Sequence, residues 1–219
     1  PTDTTNVELG QKRGYNDDHL GRAVFAVMNP ELTQSLPADQ TANGVVDIMM
    51  HTMERYFTGV AETMEITDSI AEALLRTVME QGRILTRDPK NYNARAELMW
   101  ASSLSHNGLT GAGDGLGDWA PHQLGHELSA RFDTAHGAAL SAIWGSWARY
   151  VYKQNPARFA RFAVNVLDLP EEGSEEELAL TAIEEMESFF WGLEMPTSFA
   201  DLGLKLNAKE IDEMVDGCS

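Results

Sequence analysis

Cysteine is almost absent from this chain: Cys218, beside the C-terminal Ser219, is the only one among 219 residues. A disulfide framework and a cysteine-ligated metal site are thereby excluded. Long apolar runs are missing too. Polar residues interrupt every hydrophobic stretch well short of a membrane span, and no signal peptide is visible. The expectation is a cytoplasmic protein without membrane association, although the chain begins at Pro1 and not at a methionine. Positive charge is scarce: 16 Lys and Arg stand against 34 Asp and Glu, a net of −18. Such a field repels phosphate backbones, so no nucleic-acid partner is expected. Much of the excess lies between Asp168 and Ser219, where 15 acidic residues accompany 2 lysines. That run reads as the solvated face of surface helices.

Familiar catalytic signatures are absent as well. No Gly-x-Ser-x-Gly elbow occurs, which removes the usual support for covalent serine chemistry. No Glu-x-x-His pair suggests a di-iron bundle. His126-Glu127 is followed by Leu-Ser-Ala, so the zinc-protease helix is missing. Gly108 to Gly117 holds five of the 18 glycines, yet no apolar strand precedes it and its spacing is wrong for a dinucleotide fingerprint. It reads as a loop leading into the next helix, whose start Trp119 is expected to anchor in the core.

What is present is helical periodicity. The length suits one large domain or two small ones, and 43% hydrophobic with 23% charged residues is ordinary for a globular protein. Residues 1–29 do not read as helical. Val24 to Met28, closed by Asn29-Pro30, predicts a strand, with Asn6 to Leu9 as partner and Gly10 to Asp18 as the polar connection. Two strands alone are marginal, so they either pack on the helices or join a sheet elsewhere. From Pro37 onward the spacing predicts helices at Pro37–Tyr56, Ile66–Gly82, Tyr92–Leu104, Trp119–Phe132, His136–Lys153, Asn155–Val166, Ser174–Leu193 and Lys209–Val215. Ser174 to Glu177 is a capping box, and no solenoid repeat appears. The fold class is mainly α: a multi-helix domain over 30–219 preceded by a short β-hairpin segment at 1–29.

The first predicted helix carries Val45, Val46, Ile48, Met49, Met50 and Met53, apolar nearly all round. A helix of that kind is buried, so Asp47 and His51 are expected to be buried with it. An ionised carboxylate there needs a cation or donors facing it. Asp47 and His51 are one turn apart on one face. A second histidine group, His122, His126 and His136, falls between Pro121 and Gly137. Three neutral imidazoles and one carboxylate would leave a divalent ion net positive with open positions, as needed to hold a substrate oxygen. His122 and His126 share a helix face, and chemistry alone lets either be the ligand.

The segments Met28-Asn-Pro-Glu-Leu-Thr33, Leu36 to His51, Gly117 to Ser129 and Phe132 to Gly137 together resemble the iron-containing alcohol dehydrogenases, in their butanol dehydrogenase-like branch. The resemblance runs from about residue 20 to the end. It implies a dehydroquinate synthase-like helical domain binding Fe²⁺, with Zn²⁺ as substitute, through Asp47, His51, His122 and His136. It also implies that His126 lies near the nicotinamide and the substrate oxygen. The activity implied is NAD(P)-dependent oxidation of a small alcohol or reduction of an aldehyde, with a homodimer as one allowed assembly. The family's Gly-Gly-Gly-Ser coenzyme loop has no counterpart in this sequence. On that resemblance, NAD(P) is bound mainly by an N-terminal domain not present here, the 1–29 hairpin belongs to that domain, and the chain alone is expected to be inactive. It also looks to stop short of the family's last helix. Two rivals remain: a non-catalytic helical metal-binding module, and a metal-assisted hydrolase that needs no nicotinamide.

Overall fold

The computed structural model describes residues 2–6, 8, 11–15, 23–57, 64–113 and 117–218. The chain opens with strands β1 (Thr2–Asn6) and β2 (Gln11–Tyr15), paired antiparallel with Thr2 opposite Tyr15 and Asn6 opposite Gln11. Helices α1 (Ala38–Tyr56), α2 (Glu65–Arg87), α3 (Tyr92–His106), α4 (Ala120–Phe132), α5 (His136–Val151), α6 (Pro156–Asn165), α7 (Glu175–Gly192) and α8 (Ala208–Gly217) follow. The mainly α class with a short N-terminal hairpin is therefore observed.

The hairpin's position differs from expectation. Residues 23–29 form no strand, and Val24, Phe25 and Val27 are exposed. β2 instead falls inside the stretch expected to be a connection, and β1 ends at Asn6, where the first strand was expected to begin. Val7, Leu9, Gly10 and 16–22 lie outside the described residues. The physical reason is that strands need a neighbour's backbone for their N–H and C=O groups, whatever their side chains. Thr-Asp-Thr-Thr-Asn and Gln-Lys-Arg-Gly-Tyr are polar and were invisible to an apolar pattern. β2 lies against α4, so the pair packs on the helices.

α1 is the central element. α2, α3 and α5 pack around it, with Val45, Val46, Met49, Met50 and Met53 almost fully enclosed. The buried side of α5 (Leu140, Trp144, Ala148) continues the core toward α7, while Phe57 stacks on Phe159 at 4.1 Å between centroids. α2 runs five residues beyond its expected end at Gly82. That glycine does not stop the helix; a Cβ there would stand 3.2 Å from Val45 Cγ1, so its small size serves close approach of α2 to α1. The helix ends where Asp88-Pro89 forbids continuation. Ser174–Glu177 and Asn207–Glu210 form capping boxes at α7 and α8. The glutamates of the first turn of α7 are exposed, as the charge run suggested. Among the described residues no helix is long and apolar enough to cross a membrane.

Ion pairs lock α6 onto α1 and α2. Arg158 grips Asp68 bidentately at 2.6 and 2.5 Å and donates to the Tyr56 carbonyl at 2.6 Å. Arg161, Tyr56 and Asn165 all donate to the buried Glu72 carboxylate. Removing one partner of a buried pair leaves the other charge uncompensated, whereas the intact pair adds little net stability. Arg158→Met is expected to lower unfolding free energy by about 3 kcal/mol, with Arg161, 3.8 Å from Asp68, giving partial compensation. Urea titration showing a loss below ~1 kcal/mol would count against this role.

Candidate metal centre

One face of α1 carries Asp47, His51 and Glu54, spaced so that all three look into the gap between α3, α4 and α5. The gap is open at Asp47 (29% exposed), narrower at His51 (18%) and closed at Glu54 (0%). Asp47 and His51 were expected to be buried. They are only partly so, because the apolar residues of α1 bury the rest of the helix and leave this stripe at a cleft.

Two local devices bring the other helices to it. Gly117 adopts a left-handed backbone with φ +79°, and the next residue, Asp118, donates its N–H to the Glu54 carbonyl at 3.1 Å. Asp118 Oδ1 then accepts from the Ala120 N–H at 2.8 Å, opening α4 three residues before Gln123. Its other oxygen accepts from Trp147 Nε1. At the start of α5, Gly137 presses on the backbone of Asn43, with a Cβ there only 2.7 Å from Asn43 Cα. Asn43 Oδ1 accepts the Ala138 N–H at 2.8 Å. Asn43 lies one helical turn before Asp47, so this contact sets His136 beside that carboxylate.

Three of the sequence-identified residues converge on one atom of a fourth. Asp47 Oδ1 lies 3.4 Å from His136 Nε2, 3.5 Å from His122 Nε2 and 3.7 Å from His51 Nε2. Asp47, His51 and His122 offer ligand atoms mutually within 4.8 Å. Asp47 Oδ1 and His122 Nε2 are buried without a hydrogen-bond partner among the described residues. Those contacts are too long to be good hydrogen bonds. Donors held about 2.1 Å from a shared ion at tetrahedral angles lie about 3.4 Å apart, close to the observed spacings. The donor set and its orphaned lone pairs therefore fit a divalent ion. The Nδ1 atoms of His51 and His136 also have no partner among the described residues, so they lack the second hydrogen bond that His122 has.

That second bond comes from Glu54. Its carboxylate accepts from His122 Nδ1 and, through Oε1, from the His122 backbone N–H at 3.0 Å. A carboxylate behind an imidazole fixes the tautomer of the neutral ring, so that Nε2 is the nitrogen turned to Asp47 and free to ligate once deprotonated. Burial depresses the His51 imidazole to about 2, helped by His122 and His106 against the pull of Asp47. His51 is neutral, the form that ligates. Burial also disfavours a charged His122, but the neighbouring Asp47 and Glu54 carboxylates outweigh it and raise that group to about 9. Burial pushes the Asp47 carboxyl upward, and the imidazoles of His106, His122, His136 and His51 more than offset it, holding it well below the usual carboxylate range.

His126 stands beside this cluster, its ring 5.3 Å from that of His136 and 6.3 Å from that of His122. Trp119 was expected in the core; it instead packs its ring on His51 and His122 at 5.4 and 5.3 Å, with Arg55 over it. Two residues escaped sequence reasoning. Glu54 follows His51 by three positions, a spacing that could have been found on the same helix face. His106, at the end of α3, sits 3.6 Å from Asp47 Oδ2 and had no sequence signal, since only tertiary packing brings α3 to α1.

Fold and side chains together define a helical domain with a candidate divalent-cation cage. Residues 41–218 match the family model described as Fe-containing alcohol dehydrogenase family, C-terminal. The chain is 36% identical over 208 residues to NADH-dependent butanol dehydrogenase A of Clostridium acetobutylicum, covering 94% of this chain and 53% of that enzyme. It is 38% identical over 195 residues to the NADPH-dependent aldehyde reductase YqhD of Escherichia coli, covering 89% and 49%. The solved structure of NADH-dependent butanol dehydrogenase A from Thermotoga maritima superposes with a TM-score of 0.91 at 36% identity, over 99% of this chain and 52% of that one. The chain belongs to the iron-containing alcohol dehydrogenase family, and spans about half the length of the relatives it matches.

Glu54→Gln keeps a hydrogen-bond acceptor behind His122 but removes its charge. It is expected to weaken Zn²⁺ or Fe²⁺ affinity by roughly 10- to 100-fold, with the helical circular dichroism unchanged. Unaltered affinity by competition titration would show that Glu54 does not tune the site.

Proposed function

We propose that this chain is the metal-binding catalytic portion of an NAD(P)-dependent alcohol dehydrogenase or aldehyde reductase. The observation that carries the reading is Asp47 Oδ1, a buried oxygen without a hydrogen bond among the described residues, ringed by three imidazole nitrogens at 3.4–3.7 Å. Asp47, His51, His122 and His136 would hold Fe²⁺, or Zn²⁺ in its place. When bound, such an ion supplies Lewis acidity toward an alcohol or carbonyl oxygen. The chain's own residues do the rest. A single carboxylate among the donors preserves net positive charge at the site. Glu54 orients His122, Trp119 walls one side of the cluster, and His126 lies where it can donate or accept the proton that accompanies hydride transfer.

The names of the relatives bring the nicotinamide into this proposal. A coenzyme-binding portion outside this chain would complete the enzyme, as the missing coenzyme loop also suggests. Residues 1–29 would belong with that portion: both strands of the two-stranded hairpin keep an unpaired edge among the described residues, and Val24, Phe25 and Val27 are exposed. Residues 30–219 would form the metal domain.

Protein purified without oxygen is expected to carry about one divalent metal per chain. His51→Ala and His122→Ala should empty the site, while His126→Ala should keep its metal. In the complete enzyme His126→Ala should lower turnover by on the order of 10²-fold. Full metal occupancy in His51→Ala, or loss of metal in His126→Ala but not in His122→Ala, would overturn these assignments. The 219-residue chain alone should show no NADPH-dependent aldehyde reduction. Robust turnover by it would refute the need for a second portion, and turnover without any nicotinamide would favour the hydrolase reading instead.

A further inference from the structure

His106 closes α3 and, among the described residues, is the one histidine at the cluster that does not come from α1, α4 or α5. Its Nδ1 lies 2.9 Å from the Ser102 carbonyl oxygen and 2.8 Å from Ser105 Oγ. A carbonyl oxygen only accepts, so Nδ1 carries the proton and donates it there. In the neutral ring Nε2 is then a bare lone pair. It stands 3.6 Å from Asp47 Oδ2, and the ring lies over that of His51 with centroids 3.8 Å apart.

At 3.6 Å the Nε2 atom is too far from Asp47 Oδ2 for a good hydrogen bond, and a cation held between the two would satisfy both. The spacing is the one at which the other three Nε2 atoms stand from Asp47 Oδ1, 3.4–3.7 Å. A ligating imidazole ordinarily donates its second ring N–H to a carboxylate, a backbone carbonyl or water. His106 has that arrangement through Ser102, as His122 has it through Glu54. His51 and His136 lack it among the described residues. By this criterion His106 is better prepared to ligate than two of the four donors already assigned.

We propose that His106 Nε2 is a fifth protein donor to the ion, approaching from the Oδ2 side of Asp47. The proposal rests on the metal reading above. It adds a fourth imidazole to a set that would otherwise hold three. Five protein donors leave one position of a six-coordinate ion for a substrate oxygen, and an imidazole-rich set favours later first-row divalent metals over Mg²⁺ or Ca²⁺. Its place on the last residue of α3, at a helix end exposed to solvent, gives the ring room to close on the ion.

The test uses the ¹⁵N-labelled 219-residue protein with and without Zn²⁺, read by long-range ¹H–¹⁵N correlation of the imidazole rings. Bare, protonated and zinc-bound ring nitrogens resonate in separate ranges. On zinc loading, His106 Nε2 is expected to leave the bare range for the zinc-bound one together with Nε2 of His51, His122 and His136, while His106 Nδ1 stays protonated. In His106→Leu three bound imidazoles should remain, and the Co²⁺-loaded variant should absorb more strongly in the visible as the coordination number falls. If the other three nitrogens shift and His106 Nε2 does not, whether it is bare or protonated, the fifth-donor proposal is overturned and the metal reading stands. If no zinc is taken up, both fall. The wild-type spectrum decides the matter even if His106→Leu fails to fold.

Discussion

An anionic oxygen that is buried yet not hydrogen-bonded is the constraint on which this structure turns. Asp47 Oδ1 has imidazole nitrogens on three sides, each too far for a good hydrogen bond and each spaced as donors around a small cation are spaced. Without a positive charge at its centre the arrangement would be costly, because an unsatisfied buried carboxylate is destabilising. The surrounding scaffold is arranged to hold it anyway. Gly137 admits α5 against the backbone of α1, Gly117 lets the chain turn back onto the Glu54 carbonyl, and Glu54 fixes His122 from behind. The glycine at each contact is a steric requirement, and the carboxylate behind the imidazole is an electrostatic one.

The same helix that supplies Asp47 also organises the core. α1 buries Val45, Val46, Met49, Met50 and Met53 among α2, α3 and α5, so the stripe bearing Asp47, His51 and Glu54 has little freedom to move. Function-bearing groups on such an element are positioned by packing and not by loops, which suits a site whose donors must sit within a few tenths of an ångström of one another. The Arg158 and Arg161 pairs serve the far end of that helix, clamping Tyr56 and the α2 carboxylates beneath α6.

How much of this could be read from residues alone varied with the range of the interaction involved. The helices from Pro37 onward were legible because apolar spacing and capping residues are local; Ser174 and Asn207 cap as their neighbours suggest. Gly82 misled because a glycine's meaning depends on what it touches, here Val45 across a helix interface. The hairpin was displaced because its strands are polar and pair through the backbone. In the cluster, the pairs Asp47–His51 and His122–His136 stood out by spacing. Glu54 was on the same helix face but was not recognised as a partner for an imidazole 68 residues away. His106 could not have been found, since nothing in α3 announces that its last residue faces Asp47.

The chain belongs to the Fe-containing alcohol dehydrogenase family, and the carboxylate with its imidazoles is the geometry on which the proposed metal site rests. The most direct measurement is anomalous diffraction from crystals of the protein loaded with Fe²⁺ or Zn²⁺, recorded at the absorption edge of the metal. A single strong peak is expected within bonding distance, about 2.1 Å, of Asp47 Oδ1 and of Nε2 in His51, His122 and His136. A peak elsewhere in the molecule, or none at full metal loading, would contradict the account.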